Sequence, residues 1–410
     1  MIPLATEYPY KITMLPVLHG DCFLLEFGKG KNAFRMMIDG GPAGGKEELF
    51  KQLESFAREN QKIDVLVVTH YDSDHIEGVL KLLEEPRYSA LVKEVWHNGL
   101  KEIAPDLRKK ASETEEKVYR QYMSDNATAH QAESGEISGK QSLDLARLLD
   151  REKKTINSIS DGGAITAQTP SRSLGPKQDV EVFFLLPERE TLNKQLNDYR
   201  KALKKIVLSA DVTLSEYCRS AFERYIPKTE RSVGKVKPIS AQKVINAKTP
   251  VVDQIPALAT SECGDADDKL ANASSIAIVI RYHGKKFLFP GDATPKLLAA
   301  ALERWKKVTG ENLHFDVVKL PHHGSKYSCV SLLEESELDG DVFLVSTNGK
   351  MYDHPDLESL AKIVCRSAGP QPYRRLLFNY DVKEYVFFHD TDAQKAYNYT
   401  AEHCCTVTET

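Results

Sequence analysis

The sequence predicts a mixed α/β chain, folded as a two-sheet sandwich with helices outside and a site along one edge. Three observations predict it. An apolar, β-branched run, Val65-Leu66-Val67-Val68, ends abruptly in His70, Asp72, Asp74 and His75, just ahead of a helix-like segment. Short strands in both halves of the chain end in further ligand-type residues: His97, Asp292, His322 with His323, and His354. Between those halves lies a charged, weakly apolar stretch of largely helical character.

Length and composition bound the answer. At 410 residues the chain is long enough for one large domain or two ordinary ones. Hydrophobic content of 41% and charged content of 28% describe an ordinary globular protein. No apolar run approaches a membrane span, and the first ten residues lack the basic start and apolar core of a signal peptide. A cytoplasmic, stand-alone soluble chain with no membrane partner is therefore expected. The seven cysteines are scattered, odd in number and without a C-x-x-C pair. They read as reduced thiols rather than a disulfide framework. A net charge of −4 argues against coating nucleic acid by bulk electrostatics, but leaves room for a local basic face.

Residues 1–100 form the first β-rich half. Segments 11–18 and 22–27 read as strands joined by His19-Gly20-Asp21, and 34–38 is a third strand closed by the breaker cluster Asp39-Gly40-Gly41-Pro42. Residues 46–60 place Leu49, Phe50, Leu53 and Phe56 on one helical face. After the ligand turn, Val79, Leu80, Leu82 and Leu83 continue a helix that stops before Pro86. Residues 91–96 are a strand leading into His97-Asn98-Gly99.

Residues 101–270 read as an insertion with helical excursions and some core strands. Its clearest helix is 138–150, and segments 162–168 and 180–186 look like strands returning to the core. Residues 190–225 are helical and rich in basic side chains, while 226–260 show little periodicity. The basic excess between positions 194 and 248 reads either as a solvated helix face or as a nucleic-acid contact surface. The insertion is also a candidate docking surface for a protein partner.

Residues 271–390 form the second half. Segments 274–282 and 286–290 make a hairpin around His283-Gly284 that ends in Gly291-Asp292. A helix over 294–309 precedes a strand over 315–320, which runs into Pro321-His322-His323-Gly324-Ser325-Lys326. Strand 342–346 leads to Asp353-His354-Pro355, residues 357–364 are helical, and 374–380 with 384–389 resemble a closing hairpin. Residues 391–410, with Cys404 and Cys405 beside His403, read as a frayed tail.

A polar loop capping a helix, with Asp72 or Asp74 as N-cap, explains one carboxylate but not four ligand-type residues in one turn. A single histidine such as His97 or His354 is ordinarily structural, Asp292 can simply start a helix, and Lys326 can be a surface lysine. All of these readings must hold at once to dispose of a metal site. The mixture of imidazole and carboxylate suits Zn, Mn or Fe rather than a soft thiolate centre.

Taken in order, these motifs resemble the metallo-β-lactamase superfamily, whose first signature is HxHxDH at a strand end. Here it stands as His70-Tyr71-Asp72-Ser73-Asp74-His75, with Asp in place of the second His. That HxDxDH form is similar to the branch containing the soluble domain of the DNA-uptake protein ComEC. The agreement continues through Val17-Leu18-His19-Gly20-Asp21, Ile38-Asp39-Gly40-Gly41, Asn272-Ala273-Ser274-Ser275, Phe289-Pro290-Gly291-Asp292, Leu320-Pro321-His322-His323-Gly324-Ser325, and Val345-Ser346 to Asp353-His354-Pro355.

The resemblance implies an αββα sandwich with a largely helical insertion and a site for two divalent metal ions, Zn or Mn. By position, His70 and Asp72 would hold one ion and Asp74 and His75 the other. Asp292 would bridge them, and His322 or His323 would complete the second site, strand alternation letting one of the pair point inward. Where the superfamily has a further histidine this chain offers Asn272 and Ser275, so the first site would be ligand-poor, weakly occupied, or completed by water, His97 or substrate. Asp74 or Asp72 would orient a metal-activated hydroxide, and His354 or Lys326 would steady the scissile phosphate or protonate the leaving oxygen. The activity implied is a metal-dependent phosphodiesterase or nuclease acting on DNA. A hydrolase of a small ester or cyclic nucleotide, and a non-enzymatic binding protein with a vestigial site, are the alternatives.

Overall fold

Strand Phe23–Phe27 shows in miniature how the layers arise. Phe23, Leu25 and Phe27 point to one side and Leu24 to the other, because successive side chains of a strand alternate. Both sides are buried, so the strand lies in a middle layer. The computed structural model describes residues 8–104, 145–206, 249–262, 264–366 and 373–409.

The strands in chain order are β1 (Tyr10–Met14), β2 (Phe23–Phe27), β3 (Phe34–Ile38), β4 (Ile63–Val67), β5 (Val92–Trp96), β6 (Thr155–Ile156), β7 (Arg172–Leu174) and β8 (Val180–Leu186). They continue as β9 (Ala277–Tyr282), β10 (Lys285–Phe289), β11 (His314–Lys319), β12 (Asp339–Val345), β13 (Arg374–Phe378), β14 (Tyr399–His403) and β15 (Thr406–Glu409). One sheet runs β15-β1-β2-β3-β4-β5-β6 and the other β14-β13-β12-β11-β10-β9-β8-β7. Each begins antiparallel and turns parallel, at β3–β4 in the first sheet and at β10–β11 in the second. The parallel strands are those that deliver ligand-type residues at their C-terminal ends, where open α/β sheets place their sites.

Three apolar clusters fill the layers. Ile12, Phe23, Leu25, Met36, Val65 and Val67 from the first sheet meet Val182, Ile278, Ile280, Phe287 and Val317 from the second. Outside the first sheet, helices α1 (Lys46–Arg58) and α2 (Ser73–Glu84) bury Leu49, Leu53, Phe56, Val79, Leu82 and Leu83. Outside the second, helices Pro295–Thr309, Lys326–Glu335 and Leu357–Val364 bury Leu298, Leu302, Leu332 and Leu360. Helix, sheet, sheet, helix is the αββα order. At about 1.5–3 kcal/mol per fully buried large side chain, the three clusters are the main favourable term in folding.

Several elements differ from expectation. Residues 162–168 are irregular, and the strand entering the second sheet there is β7, later in the chain. Residues expected as the second arm of a closing hairpin form the helix Lys383–Phe388 instead, and β13 pairs in parallel with β12 and β14. In place of a frayed tail, residues 391–409 form the helix Thr391–Tyr397, β14 and β15, one strand on an edge of each sheet. Helix Arg189–Ile206 is present, as is helix Val251–Ala259, where no periodicity was apparent. Most of the basic stretch between 194 and 248, and the first part of the helix expected over 138–150, lie outside the described residues. Among the described residues no helix is long and apolar enough to cross a membrane.

Candidate metal centre

The ligand turn is set by backbones packed too closely for side chains. A Cβ on Gly78 would lie 1.9 Å from the carbonyl oxygen of Gly40, and one on Gly20 would lie 1.9 Å from that of Asp74. Glycine at these two positions lets the His19-Gly20-Asp21 turn, the Asp39-Gly40-Gly41 turn and the first turns of α2 close on one another. Backbone bonds Asp21 N to Asp74 O and Gly40 N to His75 O tie them together. Asp72 stands at the N-cap of α2, but its side chain makes no capping bond there.

His70, Asp74, His75, Asp292 and His323 are all buried and converge where β4, β10 and β11 end. His70, His75 and Asp292 offer ligand atoms within 4.8 Å of one another, as do Asp74, His75 and His323. Asp72 Oδ2 lies 3.5 Å from His70 Nε2. Asp292 Oδ2 is 3.3 Å from His75 Nε2 and 3.6 Å from His323 Nε2, so it stands between the two groups.

The pair after β11 does not obey strand alternation, because it is not in a strand. His322 (φ 48°) and His323 (φ 55°) are both left-handed, two consecutive residues in a conformation costly outside glycine. The turn sends His323 into the cluster, with Nε2 3.3 Å from Asp74 Oδ2. It leaves His322 on the rim, with Nε2 3.9 Å from Asp292 Oδ2 and Nδ1 3.3 Å from Asp267 Oδ2. Asp267 was not singled out from the sequence, nor were Asp21, Asp39 and Lys319 as parts of the site. Asp21 and Asp39 sit in the motifs quoted above, so their signal was present without an assigned role.

The imidazole contacts test whether cations fit. His75 Nδ1 donates to Asp39 Oδ2 at 2.8 Å, and His323 Nδ1 donates to the Ser346 carbonyl at 2.8 Å. The Thr69 hydroxyl donates to Asp39 Oδ2 at 2.6 Å, so its 3.0 Å contact with His70 Nδ1 is donated by the imidazole. Each neutral ring then turns a bare Nε2 towards carboxylate oxygen. These three Nε2 atoms are buried and make no hydrogen bond of normal geometry. Lone pairs facing carboxylates repel unless a cation or an extra proton lies between them, and a fixed Nδ1–H is the usual support of a metal-bound histidine. Charge points the same way: among the described residues Asp21, Asp39, Asp72, Asp74 and Asp292 outnumber the ammonium of Lys319 here, an excess that divalent cations neutralise. The residues fit divalent metal ions.

Without ions, protons take their place. Burial opposes charge on His323, but Asp292 and Asp21 outweigh it and push its pKa up to about 10. Burial is likewise overcome at His75, which Asp292 and Asp39 hold well above the ordinary value. Burial would raise the carboxyl of Asp74, yet His323 and His75 hold it well below its usual range. The same opposition, with His75 and Lys319 prevailing, holds Asp292 down.

The remaining expected residues lie around this centre. His97 is buried with Nδ1 2.8 Å from Tyr71 Oη and belongs to none of the ligand groups found among the described residues. Asn272 Nδ2 donates to Asp267 Oδ2 at 2.6 Å, while its Oδ1 is buried without a hydrogen-bond partner. His354 has Nδ1 3.1 Å from Asp356 Oδ2, and its ring lies 5.6 Å from that of His322. Lys326, expected at the scissile phosphate, is buried with Nζ 3.3 Å from Glu358 Oε1. His19, half-buried, is near enough to Asp74, His323 and His75 to feel their charges, and Tyr352 stands between His19 and His354 at about 6 Å from each ring.

Residues 15–140 match the family profile described as the metallo-beta-lactamase superfamily. Among solved structures, a mutant of CmlA beta-hydroxylase is 11% identical, with 99% of this chain and 54% of that chain covered and a TM-score of 0.37. This chain thus spans about half the length of that protein. The metallo-beta-lactamase fold protein YhfI from Bacillus subtilis is 10% identical, with 98% of this chain and 100% of that chain covered and a TM-score of 0.34. No curated protein sequence matches. The αββα layers match a metallo-β-lactamase fold, and residues 15–140 resemble the metallo-beta-lactamase superfamily profile.

Proposed function

We propose that this protein is a metal-dependent phosphodiesterase, and that its substrate is DNA. The observation that carries the reading is the donor set. Asp72 stands where the HxHxDH signature has its second histidine and is 3.5 Å from His70 Nε2. Carboxylate in place of imidazole makes the centre harder and suits Mn as well as Zn. Such a centre neutralises the oxygens of a phosphodiester as charge builds on them.

Divalent ions held by His70, Asp72, Asp74, His75, Asp292 and His323 would supply Lewis acidity and a water deprotonated near neutral pH. The chain's own groups do the rest. Asp74, whose carboxylate reaches the cluster beside His323 Nε2 at 3.3 Å, accepts a hydrogen bond from the attacking water and orients it. His354, steadied through Nδ1 by Asp356, is placed better than Lys326 to act at the leaving oxygen, since the lysine ammonium already pairs with Glu358. The excess of basic residues between 194 and 248 supports a nucleic-acid substrate.

The test is cleavage of labelled single- and double-stranded DNA in Mn or Zn, with Asp74→Ala and His75→Ala proteins as controls. Cleavage by the wild type and its loss in both variants is expected. A pure protein that carries metal and leaves DNA intact would remove the nuclease reading. The overall charge of −4 favours one other reading, a small phosphodiester or ester as substrate. Turnover of such compounds without DNA cleavage would establish it.

A further inference from the structure

We infer that Lys319 is a positioning residue of the metal centre, holding one oxygen of Asp292 so that the other alone serves both ligand groups. The inference rests on the metal reading above and adds a residue to it. Lys319 is the last residue of β11 and is 1% exposed, on a strand whose preceding residues Val317 and Val318 pack into the two apolar layers. A lysine buried there is costly unless its charge and all three donors are satisfied. They are. Nζ lies 2.9 Å from the Gly291 carbonyl, 3.1 Å from Asp292 Oδ1 and 2.5 Å from Asp21 Oδ2.

These contacts divide the Asp292 carboxylate. Oδ1 is taken by the ammonium, which leaves Oδ2 facing His75 Nε2 at 3.3 Å and His323 Nε2 at 3.6 Å. A carboxylate free to rotate would present either oxygen, or both, to one ion. With Oδ1 fixed, the single oxygen between the two ligand groups becomes the shared one. Through Asp21, the same ammonium ties the turn between β1 and β2 to the loop after β10, so the two halves of the sandwich are locked where they share the centre.

The experiment is metal binding, read by Mn or Zn titration with native mass spectrometry, and it needs no substrate. Lys319→Met is expected to keep its circular dichroism spectrum and to bind metal about 10–100-fold more weakly than wild type, as loss of an outer support does elsewhere. Removing a buried charge alone can unfold a protein. The paired variant Asp21→Asn with Lys319→Met, which keeps the buried charge balanced, is therefore compared with Asp21→Asn alone. Weaker binding in the paired variant than in its control supports the inference. Equal binding overturns it, and so does failure of both lysine variants to fold, which would make Lys319 a requirement of the fold. A wild-type protein that takes up no metal would instead sink the metal reading and the inference together.

Discussion

His75 and Asp292 face one another across the join of the two halves, with Nε2 3.3 Å from Oδ2. One comes from the first turn of α2 and the other from the loop after β10, and 216 residues of chain separate them. His75 also has its Nδ1 proton fixed on Asp39. The gap between an imidazole lone pair and a buried carboxylate is where a cation belongs.

Metal binding should therefore release protons. Without metal, surrounding carboxylates push His323 up to about 10 and hold His75 well above its ordinary range. Both rings must be neutral to ligate, so protons leave on loading at pH 7–8. The sign follows: affinity rises with pH across that range. Calorimetry in buffers of different ionisation enthalpy measures the release, and loading without proton release would contradict it.

The two adjacent histidines should separate by experiment. His323→Ala removes a buried imidazole between Asp74 and Asp292 and is expected to lower the ion count per chain. His322→Ala acts at the rim, beside Asp267, and should leave the count unchanged. Elemental analysis of the two proteins decides it, and equal losses would show that the turn, not His323 itself, holds the ion.

Gly78→Ala tests the packing of the ligand turn. A methyl group there meets the Gly40 carbonyl at 1.9 Å, inside any permitted contact, and the obstacle is backbone on both sides. Destabilisation of about 3 kcal/mol or more is expected in denaturant unfolding. A loss under 1 kcal/mol would mean that the three turns are not in contact as described.

Much of this candidate centre was legible because its ligand-type residues follow strands, and β-branched runs ending in polar breakers are strong local signals. His70 through His75 and Asp292 were recognisable on those grounds. What was not legible depends on partners distant in sequence. Lys319 looks like an ordinary strand-end lysine until Asp21 and Asp292 are found on either side of it. The choice between His322 and His323 turned on a left-handed turn where a strand's alternation was assumed. In β14 and β15, Tyr399 to Glu409 carry few apolar residues, and their place comes from pairing with β13 and β1. Residues 383–388 alternate too weakly to distinguish strand from helix, and burial of Phe387 and Phe388 decided it.

Glu384 predicts a stability effect outside the centre. Burial raises its carboxyl pKa from 4.5 to about 7, only partly offset by Lys383. Below pH 4.5 folded and unfolded chains both hold the proton. Between 4.5 and 7 only the folded chain does, so wild-type stability falls as pH rises through that window and is level above it. Glu384→Gln should abolish this component, a difference of roughly 1–3 kcal/mol between pH 4.5 and pH 8. Unfolding curves at the two pH values measure it, and an unchanged slope in the variant would contradict the assignment.

The central claim is a centre built for two divalent ions that share Asp292. Its most direct test is the number of ions bound, counted by native mass spectrometry after loading with Mn or Zn and removal of excess. Two ions per wild-type chain, and fewer in Asp292→Asn, are expected. A wild-type chain that stays metal-free in excess Mn and Zn, or an Asp292→Asn chain that keeps two ions at wild-type affinity, would contradict the account.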